Sequence, residues 1–112
     1  MHELSLATAL VETALWQAVQ AEAQQIVSLK LRLGTWAGVD AEALRFAFSL
    51  VQQDTIAASA QLVIESVPAQ FRCQTCGQQT PPPLLAACSH CGSDRWQLQQ
   101  GRELQLQSME VV

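Results

Sequence analysis

The sequence contains Cys73-Gln-Thr-Cys76-Gly77 and, further along, Cys88-Ser-His-Cys91-Gly92. Two Cys-x-x-Cys pairs at this separation let four thiolates converge tetrahedrally on one ion, because each pair lies on a tight turn and the intervening segment can fold back. A glycine follows each pair, where the chain must turn without a Cβ in the way. The pattern predicts a zinc site that uses all four cysteines of the chain.

Two disulfides are the alternative use of the same four cysteines. The N-terminus does not resemble a secretory signal, since it lacks a basic region and its apolar residues are interrupted by glutamate and glutamine. We therefore favour a metal site. Four thiolates leave no open coordination position, which predicts a structural role for the ion. Metal binding, on the order of 10–16 kcal/mol, would supply the folding free energy of a module with almost no core.

Composition limits the possible functions. Hydrophobic residues make up 49% of the 112 residues and charged residues 14%, enough for one compact domain with a small appendage. No apolar run approaches the roughly 18 residues that cross a bilayer, so we expect a cytoplasmic protein without membrane contact. Six lysines and arginines face ten acidic residues, and only Arg72 and Arg95 lie in or beside the cysteine segment. This balance argues against nucleic acid as a partner.

Two segments have helical periodicity. The first predicts a helix over about residues 4–23 whose buried stripe is formed by Ala7, Val11, Ala14 and Ala18 and widened by Leu10, Leu15 and Val19. The second predicts a helix over 41–52, with Asp40 as its N-cap. Its inward stripe is expected to be Leu44, Ala47, Phe48 and Val51.

Three segments alternate with a period of two and predict strands over 26–33, 60–67 and 102–111. In the first strand, the residues expected to face the core are Val27, Leu29, Leu31 and Leu33. In the last strand, a bulge near Gln107-Ser108 would bring four apolar residues of two opposite phases to the same face. These residues are Leu104, Leu106, Met109 and Val111.

The order of these elements predicts an α+β fold. Strand 26–33, helix 41–52 and strand 60–67 can form a right-handed parallel crossover. Because the two ends of a zinc ribbon lie close together, we expect strands 60–67 and 102–111 to emerge side by side and pair antiparallel. The predicted fold is a small mixed three-stranded sheet with two helices on one face and an inserted zinc-ribbon module.

The same order divides the chain into two predicted domains. Residues 1–69 and 101–112 would form a discontinuous α/β domain, and residues 70–100 a zinc-binding domain. Because the last strand follows the zinc module, loss of zinc should loosen more than the module itself.

His2 directly follows the initiator methionine. On spacing alone, an exposed histidine at a frayed terminus is the simpler interpretation. The alternative is chemical: a free α-amine, an imidazole and the backbone amides between them can wrap nickel or copper(II), which favour nitrogen ligands in square-planar geometry. An imidazole coordinates a metal only when neutral, so binding at this site should weaken in acid.

The chain opens with Met1-His2-Glu3-Leu4-Ser5-Leu6 and closes with Gly101-Arg-Glu-Leu and Met109-Glu-Val. Between them lie Gly38-Val-Asp-Ala-Glu-Ala-Leu-Arg-Phe-Ala-Phe48 and the two Cys-x-x-Cys-Gly pairs. Together these segments resemble the HypA/HybF family of hydrogenase nickel-incorporation proteins. One departure is Ser89-His90, where the family often has proline after the third cysteine. His90 is either an exposed turn residue or an accessory ligand.

The resemblance implies a non-enzymatic nickel metallochaperone. Ni²⁺ would be a transient cargo bound at the N-terminus by Met1, His2 and Glu3, with the His2 side chain indispensable and Glu3 contributing its backbone nitrogen or modulating the site. Zn²⁺ would be structural, bound by Cys73, Cys76, Cys88 and Cys91. The implied partners are a HypB-type GTPase and the large-subunit precursor of nickel-iron hydrogenase, and some relatives also serve urease.

Two other functional classes are alternatives. A zinc-ribbon module could bind protein or nucleic acid and make no use of His2. A thiol oxidoreductase could use either Cys-x-x-Cys pair, although thiolates in a complete tetrahedral zinc set are poor nucleophiles. No nucleophile with an adjacent base, phosphate-binding glycine loop or pair of catalytic carboxylates is evident, so an enzyme is not expected.

Overall fold

The computed structural model describes residues 2–112. Within this range the chain forms two helices, α1 (His2–Gln20) and α2 (Ala41–Val51), and six strands. The strands are β1 (Ile26–Gly34), β2 (Gln61–Val67), β3 (Gln70–Cys73), β4 (Gln79–Thr80), β5 (Trp96–Gln100) and β6 (Leu104–Val111). Neither of the two helices in the described range is both long enough and apolar enough to cross a membrane.

The first sheet is mixed and three-stranded, as predicted, with the strand order β2-β1-β6. Strand β1 pairs parallel with β2 and antiparallel with β6. The prediction that the second and last strands pair with each other is wrong, because β1 lies between them.

The physical reason for this order lies in the loop that follows β1. The chain leaves the first sheet near Ala69 and returns near Gly101, and these residues are close together as expected: a Cβ on Gly101 would lie 2.6 Å from the Cα of Ala69. We call the two points where the chain leaves and re-enters the first sheet, near Ala69 and Gly101, the two crossings. The loop after β1 is hydrogen-bonded to both. Thr35 Oγ1 accepts from the Ala69 N–H at 3.0 Å, and the Trp36 N–H donates to the Gly101 carbonyl at 2.7 Å. Strand β1 is therefore fixed as the central strand.

Two bulges decide which residues of the sheet face the core. The pairing of β1 with β6 shifts between Lys30 and Leu31, whose partners are Ser108 and Leu106, so Gln107 is left unpaired and the predicted bulge is confirmed. The residues of β6 that pack against the core lie on both sides of this bulge and are Leu106, Met109 and Val111. Leu104, which was also expected inside, is 40% exposed.

A second irregularity was not predicted and changes the start of β1. The pairing also shifts between Ile26 and Ser28, which places Val27 in the bulge. Ile26 is fully buried, whereas Val27 is 39% exposed, so the prediction that Val27 faces the core is wrong. The extra residue reverses the side-chain alternation at that point.

The helices pack into one core. The buried apolar residues of α1 are Ala7, Val11, Ala14 and Ala18, as predicted, although the helix begins and ends earlier than expected. Leu10 and Leu15 pack partly buried against the core, whereas the prediction that Val19 is buried is wrong, because it lies on the outward face and is 68% exposed. The buried residues of α2 are Leu44, Ala47 and Phe48, and Val51 is half-buried. Both sets belong to a single cluster with Leu29 and Leu31, so the two helices cover the same face of the sheet.

The second sheet has the strand order β4-β3-β5 and is antiparallel. It lies between β2 and β6 in the chain and carries both cysteine pairs. Trp36 contacts it edge-on at Phe71, with the ring centroids 5.1 Å apart. The radius of gyration is 18.0 Å, against about 13 Å for a compact chain of this length, so the molecule is elongated.

Candidate metal centres

The four cysteines lie on two turns of the same local design. The Gly77 N–H donates to the Cys73 carbonyl at 2.8 Å, and the Gly92 N–H donates to the Cys88 carbonyl at 2.7 Å. Both glycines have a positive φ, 82° and 79°, a backbone conformation that a Cβ disfavours. This confirms the predicted reason for a glycine after each pair. The turns direct the sulfur atoms of each pair toward those of the other.

The sulfur positions fit a tetrahedral zinc ion. Cys73 Sγ lies 3.6 Å from Cys91 Sγ, and Cys76 Sγ lies 3.7 Å from Cys88 Sγ. All four sulfurs lie within 4.8 Å of one another. A tetrahedron with Zn–S bonds of about 2.3 Å has edges of about 3.8 Å. The close pairs are well beyond the roughly 2.05 Å of a disulfide, and all four cysteines are free.

The electrostatics of the cluster also favour a cation at its centre. The Cys76 N–H, which favours the Cys73 thiolate, holds the pKa of Cys73 at about 6. At Cys91 the Ser93 N–H favours the thiolate, but desolvation and the other three sulfurs raise the pKa to about 12. Four thiolates this close repel one another, and a bound dication removes the repulsion. A bound dication therefore favours the fully ionised form of the cluster.

His90 contributes to this centre through its backbone. Its N–H donates to Cys88 Sγ at 3.4 Å, while its side chain is exposed. The ligand group formed by the described residues contains the four cysteines without His90.

The N-terminal candidate site lies at the start of α1. Met1 is outside the described residues, and His2 and Glu3 are the first two residues of α1. The His2 side chain is 57% exposed, and its Nε2 lies 3.9 Å from Glu3 Oε2. Glu3 is 9% exposed, and its Oε2 accepts a hydrogen bond from the Asp40 N–H at 3.2 Å. The positive N-terminal amine, followed by the Asp40 N–H, holds the pKa of the Glu3 carboxyl at about 2.

Asp40 joins this site to the second helix. Its Oδ1 accepts from the N–H groups of Glu42 at 2.9 Å and Ala43 at 3.2 Å, which confirms the predicted N-cap. The backbone of Asp40 thus holds Glu3 while its side chain holds the first turn of α2. The residue pair fixes the start of α1 beside the start of α2.

The contact between Glu3 and Asp40 was not predicted from the sequence. A signal for it was present, because Glu3 precedes Ala7 by four residues and so lies on the same helical stripe. A carboxylate on a buried stripe needs a donor, and the first turn of another helix supplies unpaired N–H groups.

The similarity to known proteins extends over nearly the whole chain. Residues 1–111 match the family model described as HypA, hydrogenase/urease nickel incorporation, metallochaperone. A hydrogenase maturation factor HypA of Chloroflexus aggregans is 43% identical over 113 residues, with 99% of each chain covered. One of Picosynechococcus sp. is 41% identical over 113 residues, with 100% of each chain covered.

Solved structures share the fold. The solution structure of the Ni metallochaperone HypA from Helicobacter pylori is similar with a TM-score of 0.71 at 24% identity, covering 100% of this chain and 98% of the other. A second solution structure, of a HypA protein, is similar with a TM-score of 0.79 at 24% identity, covering 100% of this chain and 97% of the other.

Proposed function

The chain belongs to the HypA family of nickel metallochaperones for hydrogenase maturation, and from this premise we propose that it binds Ni²⁺ at Met1, His2 and Glu3. Like the family, it is a non-enzymatic maturation factor. The observation that supports the proposal is the exposed imidazole of His2 beside the anchored Glu3 at the first turn of α1.

The start of a helix suits a nickel site made of nitrogen atoms. The first N–H groups of a helix have no carbonyl acceptor within the helix, and the Glu3 N–H bonds to the Glu3 carboxylate instead. The backbone nitrogen of Glu3 can therefore bind a metal without breaking the N–H to carbonyl bonds of the helix. Nickel favours such nitrogen ligands. The Glu3 carboxylate is already engaged by Asp40, so its role is to hold the ligand backbone in place. Because His2 is exposed, an acceptor can replace the ligands one at a time.

The four cysteines are proposed to bind a structural Zn²⁺. The sulfur spacing near 3.7 Å and a complete set of four thiolate ligands support this role. We further propose that residues 70–100 form a zinc-binding domain, and that residues 1–69 with 101–112 form the nickel-binding domain.

The partners implied by this function are a HypB-type GTPase and the large-subunit precursor of nickel-iron hydrogenase. The family description also includes urease, so a urease maturation protein is a further candidate. We propose that the protein acts in the cytoplasm, a reducing compartment that suits four free cysteines.

Substitution of the two histidines separates the proposed nickel site from the zinc site. We expect His2→Ala to weaken Ni²⁺ binding at least about 100-fold, more than the loss typical of a group that only supports a ligand. Zinc content and the circular dichroism spectrum should not change. His90→Ala, which removes an exposed imidazole elsewhere, should retain nickel binding. The measurement is competition with a nickel chelator on untagged protein, with zinc determined by elemental analysis.

The alternative function, a zinc-ribbon module without nickel, predicts the opposite. Equal nickel affinity in the native protein and His2→Ala would contradict the proposed site. A loss of affinity in His90→Ala instead would place nickel at the cysteine turns.

A further inference from the structure

The first sheet has two free edges, and they differ in how they are protected. In the described part of the chain, no strand pairs with the outer side of β2 or of β6. A free edge presents unpaired N–H and C=O groups that can accept a further strand, and proteins limit this with bulges, prolines or charges. Strand β6 carries the bulge at Gln107. Strand β2 pairs with β1 in a register without a break, so its edge is regular.

The composition of β2 does not protect this edge. Its seven residues, Gln61–Val67, include neither lysine nor proline, and three of them are valine or isoleucine. Val63 is 41% exposed. The single charge, Glu65, is partly neutralised because its Oε2 lies 3.5 Å from Arg32 Nε of β1. A segment of this composition on a free edge tends to accept another strand.

A hydrogen bond at the end of β2 identifies the backbone groups that point outward. The Thr35 N–H donates to the Val67 carbonyl at 2.9 Å, so Val67 directs its backbone groups toward β1. Backbone groups alternate in direction along a strand that pairs in parallel. The residues of β2 whose N–H and C=O groups face outward are therefore Leu62, Ile64 and Ser66.

Arg45 of α2 occupies the outward side of β2. Its Nη1 donates to the Leu62 carbonyl at 2.7 Å. Arg45 is the one basic residue of α2, and a charged donor makes a stronger hydrogen bond to a carbonyl than a neutral donor does. A strand that paired with the edge at Leu62 would need the same carbonyl and would have to displace the guanidinium.

A second copy of β2 is the strand that fits this edge. The outward residues are symmetric about Ile64, so antiparallel pairing of two copies places Ile64 opposite Ile64 and Leu62 opposite Ser66. In this register Glu65 lies opposite Val63. The two carboxylates therefore do not face each other, and like charges do not oppose the pairing.

We propose that Arg45 keeps the outer edge of β2 closed to β2 of a second copy. The guanidinium holds the Leu62 carbonyl, so an approaching strand loses one of its hydrogen bonds at the end of the outward row. Neither metal site takes part in this block. Arg45 thus does at the edge of β2 what the bulge at Gln107 does at the edge of β6.

The test compares the full-length, zinc-loaded native protein with Arg45→Ala by sedimentation over a wide range of protein concentrations. We expect Arg45→Ala to associate at least about tenfold more tightly, because no charged donor competes for the Leu62 carbonyl. Association should also slow amide exchange at Ile64 and Ser66, whose N–H groups would then be paired. Arg102→Ala, which removes an exposed arginine outside β2 and α2, should associate as the native protein does.

Ser66→Pro provides a second variant, because proline removes an outward N–H and is tolerated in an edge strand. Combined with Arg45→Ala, it should return association to the native level. If the double variant does not fold, the exchange at Ile64 and Ser66 in Arg45→Ala decides whether β2 is the contact.

Three results would overturn the block. Equal association of the native protein and Arg45→Ala would show that Arg45 does not protect the edge. Association of Arg45→Ala without slower exchange at Ile64 and Ser66 would place the contact elsewhere. Association that increases only with the unfolded fraction in urea would give Arg45 a purely structural role.

Discussion

Glu3 is the residue at which the packing of the two helices and the proposed nickel chemistry coincide. Its carboxylate is nearly inaccessible, yet it is held as an anion by the chain's own positive terminus and by the Asp40 N–H. A carboxylate anchored in this way leaves the adjacent imidazole of His2 exposed. The arrangement separates the group that fixes the backbone from the group that we propose binds the ion.

The low pKa of Glu3 predicts a specific loss of stability in acid. The pKa falls from 4.5 to about 2 on folding, so the folded state favours the ionised form. The stabilisation is complete above about pH 4.5 and is lost as the pH falls toward about 2. We expect Glu3→Gln to unfold at lower urea concentration than the native protein at neutral pH. The difference between the two proteins should shrink through this acidic range.

The comparison is made by urea unfolding of both proteins at a series of pH values. Release of zinc in acid affects both proteins alike, so the difference between them isolates the carboxylate. A difference that stays constant from neutral pH to pH 2 would show that the charge of Glu3 contributes nothing to folding.

At the scale of single elements, strand β1 shows what sequence patterning can predict and where it fails. Alternation correctly identified the buried positions Leu29, Leu31 and Leu33, because burial on one face imposes a period of two. It failed at Val27, since a bulge adds a residue without leaving a local signal there. The bulge at Gln107 could be predicted because a change of phase within one strand is visible in the sequence.

Pairing between strands was less predictable than the strands themselves. The closeness of Ala69 and Gly101 was predicted from the ribbon, but the position of β1 between β2 and β6 depends on hydrogen bonds of Thr35 and Trp36. These residues form a loop, where local periodicity carries no information. The four cysteines were recognisable because the ligands of each pair are close in sequence. The contact of Glu3 with Asp40 was not recognisable, because the two residues are 37 positions apart and no local pattern links them.

Gly34, the last residue of β1, allows the end of β1 to approach the backbone at Gly101 closely. A Cβ on Gly34 would lie 2.0 Å from the Gly101 carbonyl oxygen, a backbone atom that cannot move aside cheaply. We expect Gly34→Ala to lower the free energy of unfolding by more than about 2 kcal/mol. The measurement is urea unfolding of the zinc-loaded protein.

Gly38→Ala is the matched control for Gly34→Ala. Gly38 has a φ of 75°, and a Cβ at this position would have nothing within 4 Å, so the substitution should cost about 1 kcal/mol of backbone strain alone. Equal losses in the two variants would show that the approach of Gly34 to Gly101 is relaxed at little cost.

At the scale of the whole molecule, the chain passes through the metal-binding sheet before it completes the first sheet. Strand β6 pairs with β1 along most of its length, yet it reaches that position only after residues 68–103. Ala69 and Gly101 lie side by side where the second sheet is formed, so β6 closes a short loop. We expect bound zinc to keep this sheet folded. Without zinc, the same strand must close a flexible segment several times longer.

Zinc removal should therefore affect the two sheets unequally. Loop closure over the longer segment costs about 1–2 kcal/mol, which would raise amide exchange in β6 about tenfold. Residues 70–100 should lose protection almost completely, since they have little core beyond Phe71 and the cysteines. Amides in β1 that bond to β2 should stay protected, because the parallel pairing and the packed helices do not depend on the metal.

Hydrogen exchange measured before and after chelation distinguishes this graded response from its alternatives, and Cys76→Ser provides a metal-deficient variant without chelator. Unchanged exchange in β6 would mean that the first sheet holds its last strand without help from the ion. Loss of protection throughout β1 would mean that the fold is a single cooperative unit. Faster exchange in β6 with retained protection in β1 would show that zinc stabilises the pairing of β6. This strand packs against the same core as α1, the helix that begins at His2.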